Sequence, residues 1–259
     1  MAPAMTTRLL VLAAAAAALA SCASGPRGPA IEVVNRALAN APGEAQPSRI
    51  VAAEVAFEQA AVADGQWTAF RRFAAPGAVM HLPSGLTDAG EWLKGRKDPA
   101  ASVRWNPRGV WVSCDAKLAV SRGRFEQPDG MVGTFVTVWQ RQGDGSHRWV
   151  YDGGAPDDPQ PEPVRTDLPP EELIVVEAID TIQGHVADCS KPGAPPLPPP
   201  PTAAYAQGSQ IGQAISPDGT LRAIWVHGPA GERSVDVAIW SDGAWQRGMN
   251  QPLPGPIGQ

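Results

Sequence analysis

This chain reads as an α+β protein, and three observations carry that reading. Apolar residues recur near every 3.6 positions between residues 49 and 73, the spacing of helices with one buried face. From residue 109 onward the spacing switches to two, in segments separated by Asp-Gly and Gly-Asp-Gly turns. Pro and Gly together supply about a fifth of the 259 residues, a content that suits short strands and loops better than a helical bundle. Helices first and an antiparallel meander afterwards is the α+β order. The hydrophobic fraction of 43% is enough for a packed core and argues against wholesale disorder. The net charge of −5 and the lack of a basic block argue against a nucleic-acid partner.

Each element has its own signal. Ser48 is the expected cap of a helix over residues 49–64. In it Ile50, Val51, Glu54, Phe57, Glu58, Ala61 and Val62 fall near one face, and Val51, Val55, Phe57 and Val62 offer apolar contacts. Asp64-Gly65 ends it, and residues 66–73 form a second helix with Trp67, Phe70 and Phe73 on one side. Pro76-Gly77 breaks the pattern, after which residues 78–82 make a strand ending at Pro83-Ser84-Gly85. Thr87 or Asp88 caps a short third helix through Leu93, stopped by Gly95. Strands follow over residues 109–113, 117–125, 132–140 and 147–152. In the third of these, Val132, Thr134, Val136 and Val138 face one way and Phe135, Thr137 and Trp139 the other.

These elements define a domain over residues 48–153. Residues 154–170 carry Pro156, Pro159, Pro161, Pro163, Pro169 and Pro170 and read as an extended connector. Residues 171–250 form a β-rich region, and 251–259 a tail. Within it, residues 173–186 are compatible with a strand, and Gly184 suggests a bend before Cys189. Residues 192–201 hold seven prolines in ten and form a stiff excursion. Strands are expected at 221–227, 233–240 and 244–247. Ser216-x-Asp218-x-x-Leu221 echoes Ser113-x-Asp115-x-x-Leu118 at the same spacing, so this meander is either a degenerate repeat of the first or convergent hairpin chemistry. A three-strand meander needs a surface to bury one face, so it is expected to dock on the first domain.

Residues 9–20 are an apolar run of twelve after a single charge, Arg8. That is short for a spanning helix, which needs about 20 residues, and fits the core of a secretory signal. The run ends in Leu19-Ala20-Ser21-Cys22, which resembles a bacterial lipobox. The resemblance implies a signal peptide over residues 1–21, an acylated Cys22 anchored in a lipid bilayer, and a tether over residues 22–47. The mature chain would carry a charge of −6, since Arg8 is the only charge removed. Ala23, rather than Asp, at the next position favours the periplasmic face of the outer membrane by analogy with lipoprotein sorting. With Cys22 assigned to lipid, Cys114 and Cys189 are left to form one disulfide in an oxidising compartment, the alternative being two buried thiols. The scattered His and Cys show no metal-ligand spacing, and neither a metal nor a cofactor is expected.

The first domain resembles the nuclear-transport-factor-two-like superfamily, which includes the SnoaL-like and ketosteroid-isomerase-like proteins. The features that carry this are Phe57 in the first helix, Asp64-Gly65, Phe70-x-x-Phe73, Pro83-x-Gly85, the run from Gly133 to Trp139, and Trp149-x-x-Asp152. They span about 105 residues. The resemblance implies a strongly curved sheet wrapped around a helix, a cone with an apolar pocket. It does not fix function, because the fold serves isomerases, cyclases, dehydratases and binding domains alike.

The isomerase branch needs a carboxylate base before Pro-x-Gly, plus a Tyr and a protonated Asp as oxyanion donors. Here Leu82 stands at the base position, no Tyr precedes Tyr151, and no carboxylate lies between Gly133 and Arg141. His81 is the remaining acid–base candidate, with Glu91 or Asp152 as its carboxylate and Arg104 near the mouth. Trp67, Phe70, His81, Trp105 and Trp139 are the candidate ligand pocket, with Trp111 and Trp149 as further indoles; core packing is the alternative role for all of them. The expected function is binding of a small apolar ligand or a partner without catalysis. A cyclase- or dehydratase-type enzyme and an envelope assembly protein are the alternatives, and a second copy of the chain is a candidate partner.

Overall fold

The computed structural model describes residues 45–162, 181–191, 193–201 and 203–254. The signal, Cys22, most of the tether, and part of the connector and of the following expected strand lie outside these residues. The protein is α+β, with a mixed sheet of seven strands and a separate antiparallel sheet of four.

Helix α1 spans Pro47–Asp64 and α2 spans Gln66–Phe73. The first begins one residue before the expected cap: Gln46 is the cap residue and makes no side-chain bond, while Pro47 occupies the first turn. Proline suits that position, where its fixed φ is helical and its missing N–H would have no partner. Ile50, Glu54, Phe57 and Ala61 form the buried stripe at i, i+4, i+7 and i+11. Val55 and Val62, expected to make apolar contacts, are exposed, because each sits about 100° around the helix from that stripe.

Strands β1 (Ala74–Leu82) and β2 (Gly85–Asp88) form a hairpin, and Asp88 then caps α3 (Ala89–Leu93) by accepting from the Glu91 N–H at 2.9 Å. Strands β3 (Arg104–Val112), β4 (Leu118–Glu126), β5 (Val132–Arg141) and β6 (His147–Pro156) follow as an antiparallel run. Strand β6 extends to Pro156, so the expected connector begins later than Gly153. The sheet order is β2-β1-β6-β5-β4-β3-β7, where β7 is Gln183–Val186. Two pairs are parallel, β1 with β6 and β3 with β7, which corrects the wholly antiparallel sheet expected from the sequence. Gly184 is inside β7 rather than at a bend; a Cβ there would lie 2.9 Å from the Pro47 ring, so glycine permits the close approach of the helix start.

The second sheet holds β8 (Gln210–Ile215), β9 (Leu221–His227), β10 (Arg233–Ser241) and β11 (Ala244–Pro252), in the order β11-β10-β9-β8. The two hairpin turns that lead into β4 and β9 share one hydrogen-bond pattern. Ser113 Oγ donates to Asp115 at 2.6 Å and accepts from the Leu118 N–H at 3.1 Å. Ser216 Oγ does the same with Asp218 and Leu221, at 2.6 and 3.0 Å. The left-handed position of the turn is Ala116 in one and Gly219 in the other. The turns also touch: the Asp115 N–H donates to Asp218 at 2.7 Å and the Cys114 N–H to Thr220 Oγ1 at 3.0 Å. Beside them Cys114 and Cys189 form a disulfide, with Cα atoms 5.2 Å apart. The proline run lies against the second sheet, where Trp245 Nε1 donates to the Pro198 carbonyl at 2.9 Å and Arg222 to the carbonyls of Pro200 and Pro201. Carbonyls in such a segment are free to accept because it forms no internal hydrogen bonds.

Strand alternation distributes side chains between two cores. One gathers Ile50, Phe57, Phe70 and Leu93 from the helices with Val110, Val112, Trp139 and Trp149. The other gathers Val120, Val136, Val138 and Tyr151 with Leu221, Trp225, Val235 and Val237 of the four-stranded sheet.

Candidate functional site

A cavity of about 350 Å³ opens beside the first core. Aromatic side chains dominate its wall: Phe57 from α1, Trp67 and Phe70 from α2, Trp92 from α3, Trp105 from β3 and Phe135 from β5. Their rings hold one another. Phe57 lies 4.8 Å from Phe70 and 4.9 Å from Trp105, and Trp67 lies 5.0 Å from Trp92 in an edge-to-face pair. Gln66, Gln127, Thr137 and Asp152 are the polar side chains of the wall.

Asp152 stands opposite Thr137 across the β5–β6 ladder, and Thr137 Oγ1 donates to its Oδ2 at 2.8 Å. Burial, less the help of that bond, pushes its pKa up to about 7, and the negative charge of Glu54 pushes the same way. Glu54 lies beneath, on the buried stripe of α1, and is 0% exposed. Its carboxyl accepts from Trp139 Nε1 at 2.9 Å, from Trp105 Nε1 at 3.1 Å and from the Ser121 hydroxyl. Burial raises its pKa as well, against the pull of these donors. Of two carboxyls with suppressed ionisation, both within the influence of Thr137, Asp152 reaches the cavity wall and Glu54 stays buried behind it.

His81 also contributes to the cavity wall, but its imidazole does not face Asp152. Along β1, Val79 packs on the second core and Met80 on the first, so His81 turns to the second. There its Nδ1 is 2.8 Å from the Tyr151 hydroxyl and its Nε2 is 3.3 Å from His227 Nδ1. Arg233, 4% exposed, donates to the His81, Gly154 and Pro254 carbonyls at 3.1, 3.2 and 3.0 Å. Burial first, then the positive charge of Arg233 and the neighbouring His227, lower the His81 pKa to about 3, so it is neutral at pH 7. Asp152 follows Tyr151 and points to the opposite face, so the expected His81–carboxylate pair is split across the sheet.

The other sequence candidates divide cleanly. Trp67, Phe70 and Trp105 line the cavity. Trp139 does not: it is wholly buried in the core, its indole N–H shared between Glu54 and, at 3.0 Å, Ser121. Alternation gave its face correctly but could not give its depth along the strand. Glu91 is exposed on α3, its carboxylate 4.0 Å from Lys94 and away from the cavity. Arg104 pairs with Glu58, Trp111 stacks on His185 at 5.3 Å, and Trp149 is buried in the first core. Glu54 and Trp92 were not singled out as site residues. For Glu54 the signal was present, a carboxylate on an otherwise apolar helical stripe. Among the described residues no group of three His, Cys, Asp or Glu side chains is placed to hold a metal ion. No described helix is long and apolar enough to cross a membrane.

No protein-family model matches the chain, and no curated protein matches it.

Proposed function

We propose that the chain is a lipid-anchored protein of the bacterial envelope that binds a small, mainly apolar ligand in the aromatic cavity, with Asp152 as the polar anchor. The observation that carries this reading is the cavity itself: about 350 Å³ of space walled by rings, with a few convergent polar groups. Its position among helix α1 and α2 residues and strand residues supports a cone-shaped domain of the nuclear-transport-factor-two-like kind, with helices packed in a curved sheet and the second sheet docked behind it. The Leu19–Cys22 signature and the Cys114–Cys189 disulfide both support an oxidising, extracytoplasmic setting. The turn of His81 toward Tyr151 weighs against an enzyme built on His81.

The binding reading is tested with N-phenyl-1-naphthylamine, a neutral apolar fluorophore. Saturable fluorescence enhancement with quenching of the tryptophans is expected, and Leu82→Trp, which places an indole in the cavity, should abolish it while the circular dichroism spectrum is kept. Binding that is absent, or unchanged in Leu82→Trp, overturns it. Cys22→Ala should release the protein from membranes and block acyl labelling; retained labelling contradicts the anchor.

A further inference from the structure

We propose that the cavity selects cations: its ligand is a hydrophobic amine or quaternary ammonium, its charged nitrogen held by the Asp152 carboxylate among the aromatic rings. This rests on the cavity being a ligand site, and it names the ligand's class.

The charge balance of the site points there. Among the described residues that line the cavity none is Lys or Arg, and the one histidine directs its ring to the other face of the sheet. The only formal charge that this described wall can present is negative. Among the described residues neither Asp152 nor Glu54 has a cation at hydrogen-bond or ion-pair distance. Three other carboxylates of the same half carry ion pairs: Glu58 with Arg104, Asp157 with Arg124, Asp64 with Arg72. A carboxylate removed from water without a partner is costly, so Asp152, which borders the open space with the buried Glu54 behind it, is suited to receive a positive group.

Asp152 also has the free valence to receive it. Thr137 occupies Oδ2, and Oδ1 accepts no hydrogen bond among the described residues. The rings add to the attraction. An ammonium near an aromatic face is drawn by the ring quadrupole, most strongly for indole, and Trp67 and Trp105 supply two of them, while Trp92 already carries the Arg96 guanidinium over one face. Methyl or aryl substituents on the nitrogen would meet the remaining apolar wall, which a bare ammonium could not use. An anion would face the Asp152 carboxyl and no donor cation in the described wall. A neutral carbonyl would demand that Asp152 stay protonated, which makes it the competing ligand class.

Benzyltrimethylammonium and its uncharged isostere 2,2-dimethylpropylbenzene separate these cases, both measured by displacement of N-phenyl-1-naphthylamine from the purified protein. At pH 8 the cation should bind roughly tenfold tighter than the isostere. Its affinity should fall about tenfold from pH 8 to pH 6, as a carboxyl that titrates near 7 in the empty site takes up its proton, while the isostere's affinity stays constant. Asp152→Asn should bring the two ligands to within about twofold of each other. If that variant does not fold, the pH series on the native protein decides alone. Equal or tighter binding of the isostere, or cation binding indifferent to pH, overturns the cation proposal and leaves the apolar cavity standing. If neither ligand nor the fluorophore binds, both readings fall.

Discussion

Replacing Asp152 by Asn should stabilise the protein by an amount that grows from about pH 4 and levels off a little above pH 7. In the unfolded chain the carboxyl titrates at the ordinary value of 3.8, and in the folded protein at about 7. Between those values the native state holds a proton that the unfolded state has released. Rising pH therefore favours unfolding; the loss begins near pH 4 and is complete a little above pH 7. The full span corresponds to at most about 4 kcal/mol, at 1.36 kcal/mol per pH unit. Asparagine keeps an oxygen for the Thr137 hydroxyl and carries no charge to desolvate, so the penalty disappears. Urea unfolding of both proteins, with the disulfide intact, should show a gap of about 1 kcal/mol at pH 4.5 that widens to about 4 kcal/mol at pH 8. Titrating groups that do not interact with Asp152 cancel in the difference; Glu54, which does, ionises more readily in the variant. A gap of constant size from pH 4.5 to 8 would refute the claim that burial holds this carboxyl protonated.

Three further outcomes are expected. Replacing Cys114 and Cys189 by Ser, which opens a loop of sequence separation 75, should cost about 4 kcal/mol in urea unfolding; a midpoint unmoved by substitution or by reduction contradicts it. Glu54→Leu removes the acceptor of the Trp105 and Trp139 indoles and of the Ser121 hydroxyl and should cost about 3 kcal/mol, whereas Glu54→Gln, which keeps a carbonyl, should cost clearly less; equal midpoints for the two variants would show the carboxyl to be idle. His81 contributes the opposite pH slope to Asp152. Its unfolded form takes a proton below about 6.5 while the native form refuses one until about 3, so stability falls as the solution is acidified through that window, and His81→Gln should flatten the acid limb of a stability–pH curve.

Local chemistry made much of the fold legible. Asp64-Gly65, Pro83-Ser84-Gly85, Asp129-Gly130 and Asp242-Gly243 each fall at an element boundary or in the turn between two strands. What stayed hidden was nonlocal. Strand β2 is four residues without a period and does not announce itself, whereas β7 falls at the end of the strand expected over residues 173–186. The parallel contacts of β1 with β6 and β3 with β7 join segments far apart in the chain, and no turn residue records them. The site divides in the same way. The aromatic face of α2 already placed Trp67 and Phe70 together, and both reach the cavity. Asp152 was visible as a candidate, but its neighbours Thr137 and Glu54 come from β5 and α1, and only the packed structure brings the three together.

The disulfide has a consequence for what a single backbone cut does. Cys114 lies ahead of the proline-bearing stretch that follows β6, and Cys189 lies beyond it. A protease that severs the chain between Pro156 and Gln183 thus yields two polypeptides that stay joined even in denaturant and part there only when a thiol is added. Strand β7 keeps its four-residue register with β3 in that nicked molecule, so the seam is closed by hydrogen bonds as well as by sulfur.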